Sequence, residues 1–177
     1  MPAVMPTPSN QIHADLRMTR DLLYHPSLVL CSEPIKEAEG SEYGAYTFEM
    51  GGRAIRYRVA KTTPTKIGQF VTLWKRIAKG PIQPFDLSDP VDLFVITTRQ
   101  GKKFGQFVFP KSVLCQRNIV SSDGKGGKRA IRVYPPWEKT TSKQARKTQE
   151  WQISYFLEIP IEGSIDWIRF RTLYFVE

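Results

Sequence analysis

Between Gly51 and Phe85 the chain contains no Asp or Glu, and its basic residues fall between apolar ones at a spacing of two. Ile55, Tyr57 and Val59 alternate with Arg56 and Arg58, the period of a strand with one wet and one buried face. Residues 45–50 have the same character, and Gly51-Gly52 joins the two runs. Paired glycines admit the positive φ angles of a tight turn, so the two runs are expected to form an antiparallel hairpin. Arg56 and Arg58 then project from the face opposite Ile55, Tyr57 and Val59. A sheet face carrying only positive charge suits an extended polyanion. The competing reading is a solvated basic face with no ligand.

Lys61, Lys66, Lys75 and Arg76 add charge to the same stretch. Residues 62–65 read Thr-Thr-Pro-Thr and interrupt the second strand, because Pro64 has no N–H for a ladder. With Lys61 and Lys66 at its ends and Thr63 and Thr65 inside, this loop would hold a phosphate through hydroxyls, amides and charge. It lacks the glycines of a P-loop, so a nucleoside triphosphate is not implied, and a plain surface turn is the alternative.

Charge is unevenly spread. The first 50 residues hold three Lys or Arg against seven Asp or Glu, while the 177-residue chain carries +9. The positive excess therefore lies in the main body, and its expected partner is nucleic acid first, a phosphorylated small molecule second and an acidic membrane third. No run approaches the ~20 apolar residues of a membrane span, and residues 1–11 lack the basic-then-apolar order of a secretory signal. A cytoplasmic protein is expected. Cys31 and Cys115 have no second cysteine near either one; they read as reduced thiols, with a disulfide as the alternative. His13 and His25 lack zinc-ligand spacing.

In chain order, residues 1–10 read as a flexible tail. Residues 12–24 read as a helix stopped by Pro26, and residues 32–38 as a second helix capped by Ser32. Residues 69–76 fit either helix or strand. Residues 80–90, with Pro81, Pro84 and Pro90, form a connecting loop. Residues 91–98 read as a strand rich in β-branched and aromatic side chains, partnered by 105–109 across a basic turn, before a short helix at 111–118. Residues 66–71 and 103–108 share five of six residues, too little for a repeat architecture. A flexible loop at 121–128 precedes a strand at 129–134 that puts Arg132 and Tyr134 on one face. Thr141-Ser142 caps a long helix over 143–157 whose polar face includes Gln149, and residues 165–176 close the chain as a strand or short hairpin.

The stretches RVAKTTPTKIGQFVTLWKR, GQFVFPKSVL, GKRAIRVYPPW and KTQEWQISYF, in this order over residues 43–156, resemble the MepB family. That resemblance implies a cytoplasmic α+β protein rather than a transporter, with a core similar to restriction-endonuclease folds and a nucleic-acid or nucleotide ligand. The expected architecture is one α+β domain, residues 11–177, with a central mixed, mostly antiparallel sheet flanked by helices. Since the family takes its name from a gene beside a multidrug efflux pump, an accessory or regulatory role in efflux is a further reading.

A nuclease of the PD-(D/E)XK type needs an acid on one strand and an acid plus lysine on the next, holding Mg²⁺ or Mn²⁺ that activates water. The candidates are Asp92 as metal ligand, Gln106 where the second acid belongs, Lys111, and an upstream Glu49. Gln106 is not an acid, and Lys111 lies beyond the usual two-residue spacing. Gln152 and Phe156 resemble the Gln-x-x-x-Tyr of RecB-like nucleases with the last residue altered. Asp92 also reads as a strand-end acid paired with an arginine. For a binding module without chemistry, the track comprises Arg56, Arg58, Lys61, Thr63, Thr65, Lys66, Lys75, Arg76, Lys128, Arg129, Arg132, Gln149 and Gln152. The family leaves the oligomeric state open.

Overall fold

The computed structural model describes residues 11–176, and the tail expected at residues 1–10 lies outside them. Helix α1 (Ala14–Thr19) passes through a π-helical turn (Arg20–Tyr24) into α2 (His25–Ser27). Pro26 therefore sits inside the helical segment instead of stopping it. A wider turn before a proline accommodates its missing N–H and its ring. Asp15 on α1 is bound by the Arg99 guanidinium, which ties this segment to the sheet.

The segment expected as a second helix at 32–38 is extended and holds β1 (Ile35–Lys36). Ser32 does not cap a helix there. Its Oγ accepts from the Glu49 amide at 2.8 Å and its amide donates to the Glu49 carbonyl at 2.9 Å, so the sheet edge claims this segment. The glycine hairpin forms as expected from β2 (Tyr46–Met50) and β3 (Arg53–Val59), with φ of 56° at Gly51 and 80° at Gly52.

The next stretch is β throughout: β4 (Lys61–Thr62), β5 (Gln69–Thr72), β6 (Trp74–Arg76) and β7 (Ile82–Pro84), the last inside the expected proline loop. Then come β8 (Leu93–Gln100), β9 (Lys103–Pro110), α3 (Lys111–Gln116) and β10 (Ala130–Val133). Helix α4 (Lys143–Ile153) ends before 157, and Phe156 and Leu157 enter an edge strand, β11 (Phe156–Glu158). The last described element is α5 (Trp167–Phe175), where a strand or short hairpin was expected. Asp166 Oδ1 accepts from the Arg169 amide at 3.0 Å and caps it. Phe170, Leu173 and Tyr174 recur at helical spacing and are buried, so here the i, i+3, i+4 pattern outweighs the β propensity of the aromatics.

The main sheet has the order β1-β2-β3-β8-β9-β11, with β3–β8 parallel and its other pairs antiparallel. Residues 60–92 supply the long crossover that a parallel pair requires, and they carry most of the two small sheets, β10-β5-β4 and β6-β7. Strand β8 is buried on both faces, which is why it reads as an unbroken apolar run. Leu93 and Val95 join a core with Leu16, Phe170 and Tyr174, whereas Phe94 and Ile96 join a second core with Leu114, Ile131 and Val133. The fold is thus α+β, a mixed sheet flanked by helices. These features establish that class and stop short of a nuclease-type core. Among the described residues no helix is long and apolar enough to cross a membrane, and Cys31 and Cys115 are both free thiols.

Candidate anion-binding groove

The basic residues expected to form one track divide into two groups according to what faces them. Arg56 and Arg58 do share a face of β3, but that face is not purely positive. Glu37 lies across it, one carboxylate oxygen 2.5 Å from Arg56 Nη1 and the other bound to Arg58 Nη1. The Arg58 side chain is 5% exposed. Burial pulls its pKa below the ordinary arginine value, and Glu37 opposes that shift. Lys75 pairs with Asp89 at 2.7 Å, Arg76 with Glu39 at 3.1 Å and Lys61 with Glu42 at 3.5 Å. Lys61 also lies over the Tyr43 ring. Three acids of the N-terminal region, Glu37, Glu39 and Glu42, together with Asp89, therefore neutralise these cations, and the single trough expected from the sequence is interrupted.

The second group lies between β10 and the first turns of α4. Lys66, Arg117, Lys128 and Arg132 line a groove of ≈ 570 Å³ together with Tyr134, Ser142, Gln144, Thr148 and Trp151, and no Asp or Glu lines it. Among the described residues none of these four cations forms an ion pair, in contrast to Arg56, Arg58, Lys61, Lys75 and Arg76. Arg132 is fixed in place. It donates to the carbonyls of Ile67 and Gly68 and, at 2.7 Å, to Thr63 Oγ1, and its guanidinium lies 5.9 Å from the centroid of Phe70. Arg117 lies over the Trp151 ring. Lys66, Lys128 and Thr65 are exposed. Arg129 is exposed too but does not line the groove; its carbonyl accepts from the Leu73 amide.

Local sequence explains the groove's two walls. Strand β10 pairs with β5 in a register that sets Arg132 beside Phe70. Helix α4 starts at Ser142, whose Oγ accepts from the Ala145 amide at 3.0 Å, and Gln152 ties it to β10. The Gln152 side chain accepts from the Tyr134 amide at 2.8 Å and donates to the Arg132 carbonyl at 2.9 Å. Gln149 donates to the carbonyls of Pro135 and Glu138. Both glutamines thus spend their amides on holding the wall, with Gln152 buried beneath it. Sequence reading missed Arg117, which lies in the loop after α3, and had noted Tyr134 only as sharing a face with Arg132.

Of the hydrolytic candidates, Asp92 and Lys111 come together along one cleft of ≈ 620 Å³, which also includes Ser112, Tyr155 and Thr172. Asp92 Oδ2 accepts from the Ala54 amide at 2.7 Å, and Lys111 Nζ donates to the Asp89 carbonyl at 2.7 Å. Gln106 lies in the core, where its Oε1 accepts from the Tyr174 hydroxyl, itself bonded to Tyr24 at 2.8 Å. Glu49 stands opposite Ala54 on β2 and does not line the cleft. Among the described residues no group of three or more His, Cys, Asp or Glu could hold a metal ion. With Asp92 the one carboxylate among the described residues lining the cleft and Gln106 neutral and buried in the core, these residues do not fit Mg²⁺ or Mn²⁺, which need carboxylate charge.

Fold and site together define a basic, single-domain α+β protein with a cationic groove against its smaller sheet. The MepB-like family model matches residues 37–158, more than half of the chain, and the chain belongs to that family. A solved crystal structure of MepB is similar to it, with 30% identity, a TM-score of 0.72, and coverage of 86% of this chain and 99% of the other. No curated protein matches.

Proposed function

We propose that the protein binds nucleic acid, or another phosphate-bearing polyanion, in the groove between β10 and α4. The observation that carries this reading is four cations lining one cleft with no carboxylate among them, while Arg56, Arg58, Lys75 and Arg76 are paired with acids. Unpaired lysines and arginines neutralise phosphates and release the counterions condensed on them. A cationic drug would meet like charge here. The reading needs no hydrolysis; among the described residues no group of three or more His, Cys, Asp or Glu could hold the metal of a PD-(D/E)XK reaction. A cytoplasmic setting suits both the ligand and the two free thiols.

Binding to a labelled oligonucleotide across a salt series tests the proposal. Affinity should fall steeply with salt, and Lys66→Ala or Lys128→Ala should each reduce the slope of log affinity against log salt by about 0.7 to 0.9. Lys75→Ala, which removes a cation already paired with Asp89, should leave the slope unchanged. A flat salt dependence, or an equal effect of all three substitutions, overturns the proposal.

A further inference from the structure

Tyr134 follows β10 and is half-buried along the groove. Its ring packs against Gly68, where a Cβ would come within 2.7 Å of the ring atoms Cδ1 and Cε1. Gly68 itself sits at φ 83°, so both its conformation and this close approach call for glycine. Nearly all other Tyr and Trp residues among those described have an aromatic or cationic partner. The exceptions are Tyr134 and Tyr46, and Tyr46 is buried. Tyr134 is thus a half-buried tyrosine whose ring has no aromatic or cationic partner, and it stands among Lys66, Lys128 and Arg132.

An aromatic ring beside cations is the arrangement that holds an unpaired base, with charge taking the phosphates on either side. A duplex keeps its base faces covered by neighbouring base pairs, so it would gain phosphate contacts from this groove but nothing from the ring. The volume of ≈ 570 Å³ falls in the range of small-ligand clefts, about 300 to 1,000 Å³. We infer that the groove takes single-stranded nucleic acid, one base lying on the Tyr134 ring and the adjoining phosphates on Lys66, Lys128 and Arg132. The inference rests on the polyanion reading above and names its ligand class.

The test compares fluorescence anisotropy of the full chain with a labelled thymidine oligonucleotide and with a duplex of equal length. Tyr134→Ala should weaken single-strand binding by about five- to a hundredfold, the value of one base-aromatic stack, and leave duplex binding unchanged. Tyr134→Phe should bind as the parent does. Tyr134→Leu keeps an apolar cover over Gly68 without a π face and should behave as the alanine variant, so a folding defect in the latter does not decide the matter. Equal losses on both ligands, or no loss on either, overturn the base-stacking inference while leaving the phosphate groove standing. Absence of binding by the parent protein to either ligand overturns both.

Discussion

Replacing Glu37 by Gln should destabilise this protein far more than the same change at Glu39 or Glu42. Glu37 is 16% exposed and binds both Arg56 and Arg58, the latter 5% exposed. Glutamine preserves shape and hydrogen-bonding capacity but leaves a buried guanidinium without its counter-charge. Breaking a buried pair in this way costs about 3 to 5 kcal/mol. At about 2 to 4 °C per kcal/mol for a chain of this size, the melting temperature should fall by roughly 6 to 20 °C. Glu39 and Glu42 are 47% and 75% exposed in their pairs with Arg76 and Lys61, and their conversion to Gln should cost about 1 kcal/mol or less. Adding Arg58→Met to Glu37→Gln removes the orphaned charge and should recover much of the loss. Thermal melts by circular dichroism on the three single variants and the double variant provide the comparison. Should Glu37→Gln melt within the spread of the two exposed variants, Arg58 is not held by a buried counter-charge and the account of the interrupted basic face fails.

Gly105 on β9 faces the edge strand, where an added Cβ would collide with the Phe156 ring and come within 2.7 Å of the Leu157 carbonyl oxygen. Gly105→Ala should therefore cost about 1 to 3 kcal/mol in urea unfolding, whereas Gly52→Ala, which meets no atom within 4 Å, should show only the strain of its positive φ. A loss at Gly105 no greater than at Gly52 would contradict the close packing of β9 on β11. Asp86 is held below the usual carboxylate range, first by the Ser121 hydroxyl, then by the amides of Gly124 and Ser88 and the Ser88 hydroxyl. A folded-state pKa lower than the unfolded one stabilises the protein above the unfolded value, about 4, and that contribution disappears as pH falls through the folded value. The stability gap between the parent and Asp86→Asn should be widest near neutral pH and close progressively below pH about 4. A gap independent of pH would remove Asp86 as the clasp of the 121–128 loop.

The sequence determined the features that depend on a few neighbouring residues. The Gly51-Gly52 hairpin, the buried strand pair that became β8 and β9, the short helix α3 after Pro110 and the Ser142 cap of α4 are all legible, because turn geometry, side-chain period and capping act within a turn or two. Even so, the same local reasoning misassigned 32–38 and 165–176. Ser32 is claimed by Glu49 on a neighbouring strand, and the terminal aromatics are claimed by a core face shared with Leu16 and Tyr24. Net positive charge and its place in the main body were also evident in the sequence. Which cations stay available for a ligand was not. Arg58 meets Glu37, and Arg76 meets Glu39, only because β1 and the loop after it fold back over the hairpin. Lys66 and Lys128, far apart in the chain, meet because β10 docks on β5 and α4 closes over it. Charge is a property of composition. Its neutralisation depends on distances of a few ångströms between residues remote in sequence, and those distances are set by the packing of the main sheet and the two small ones.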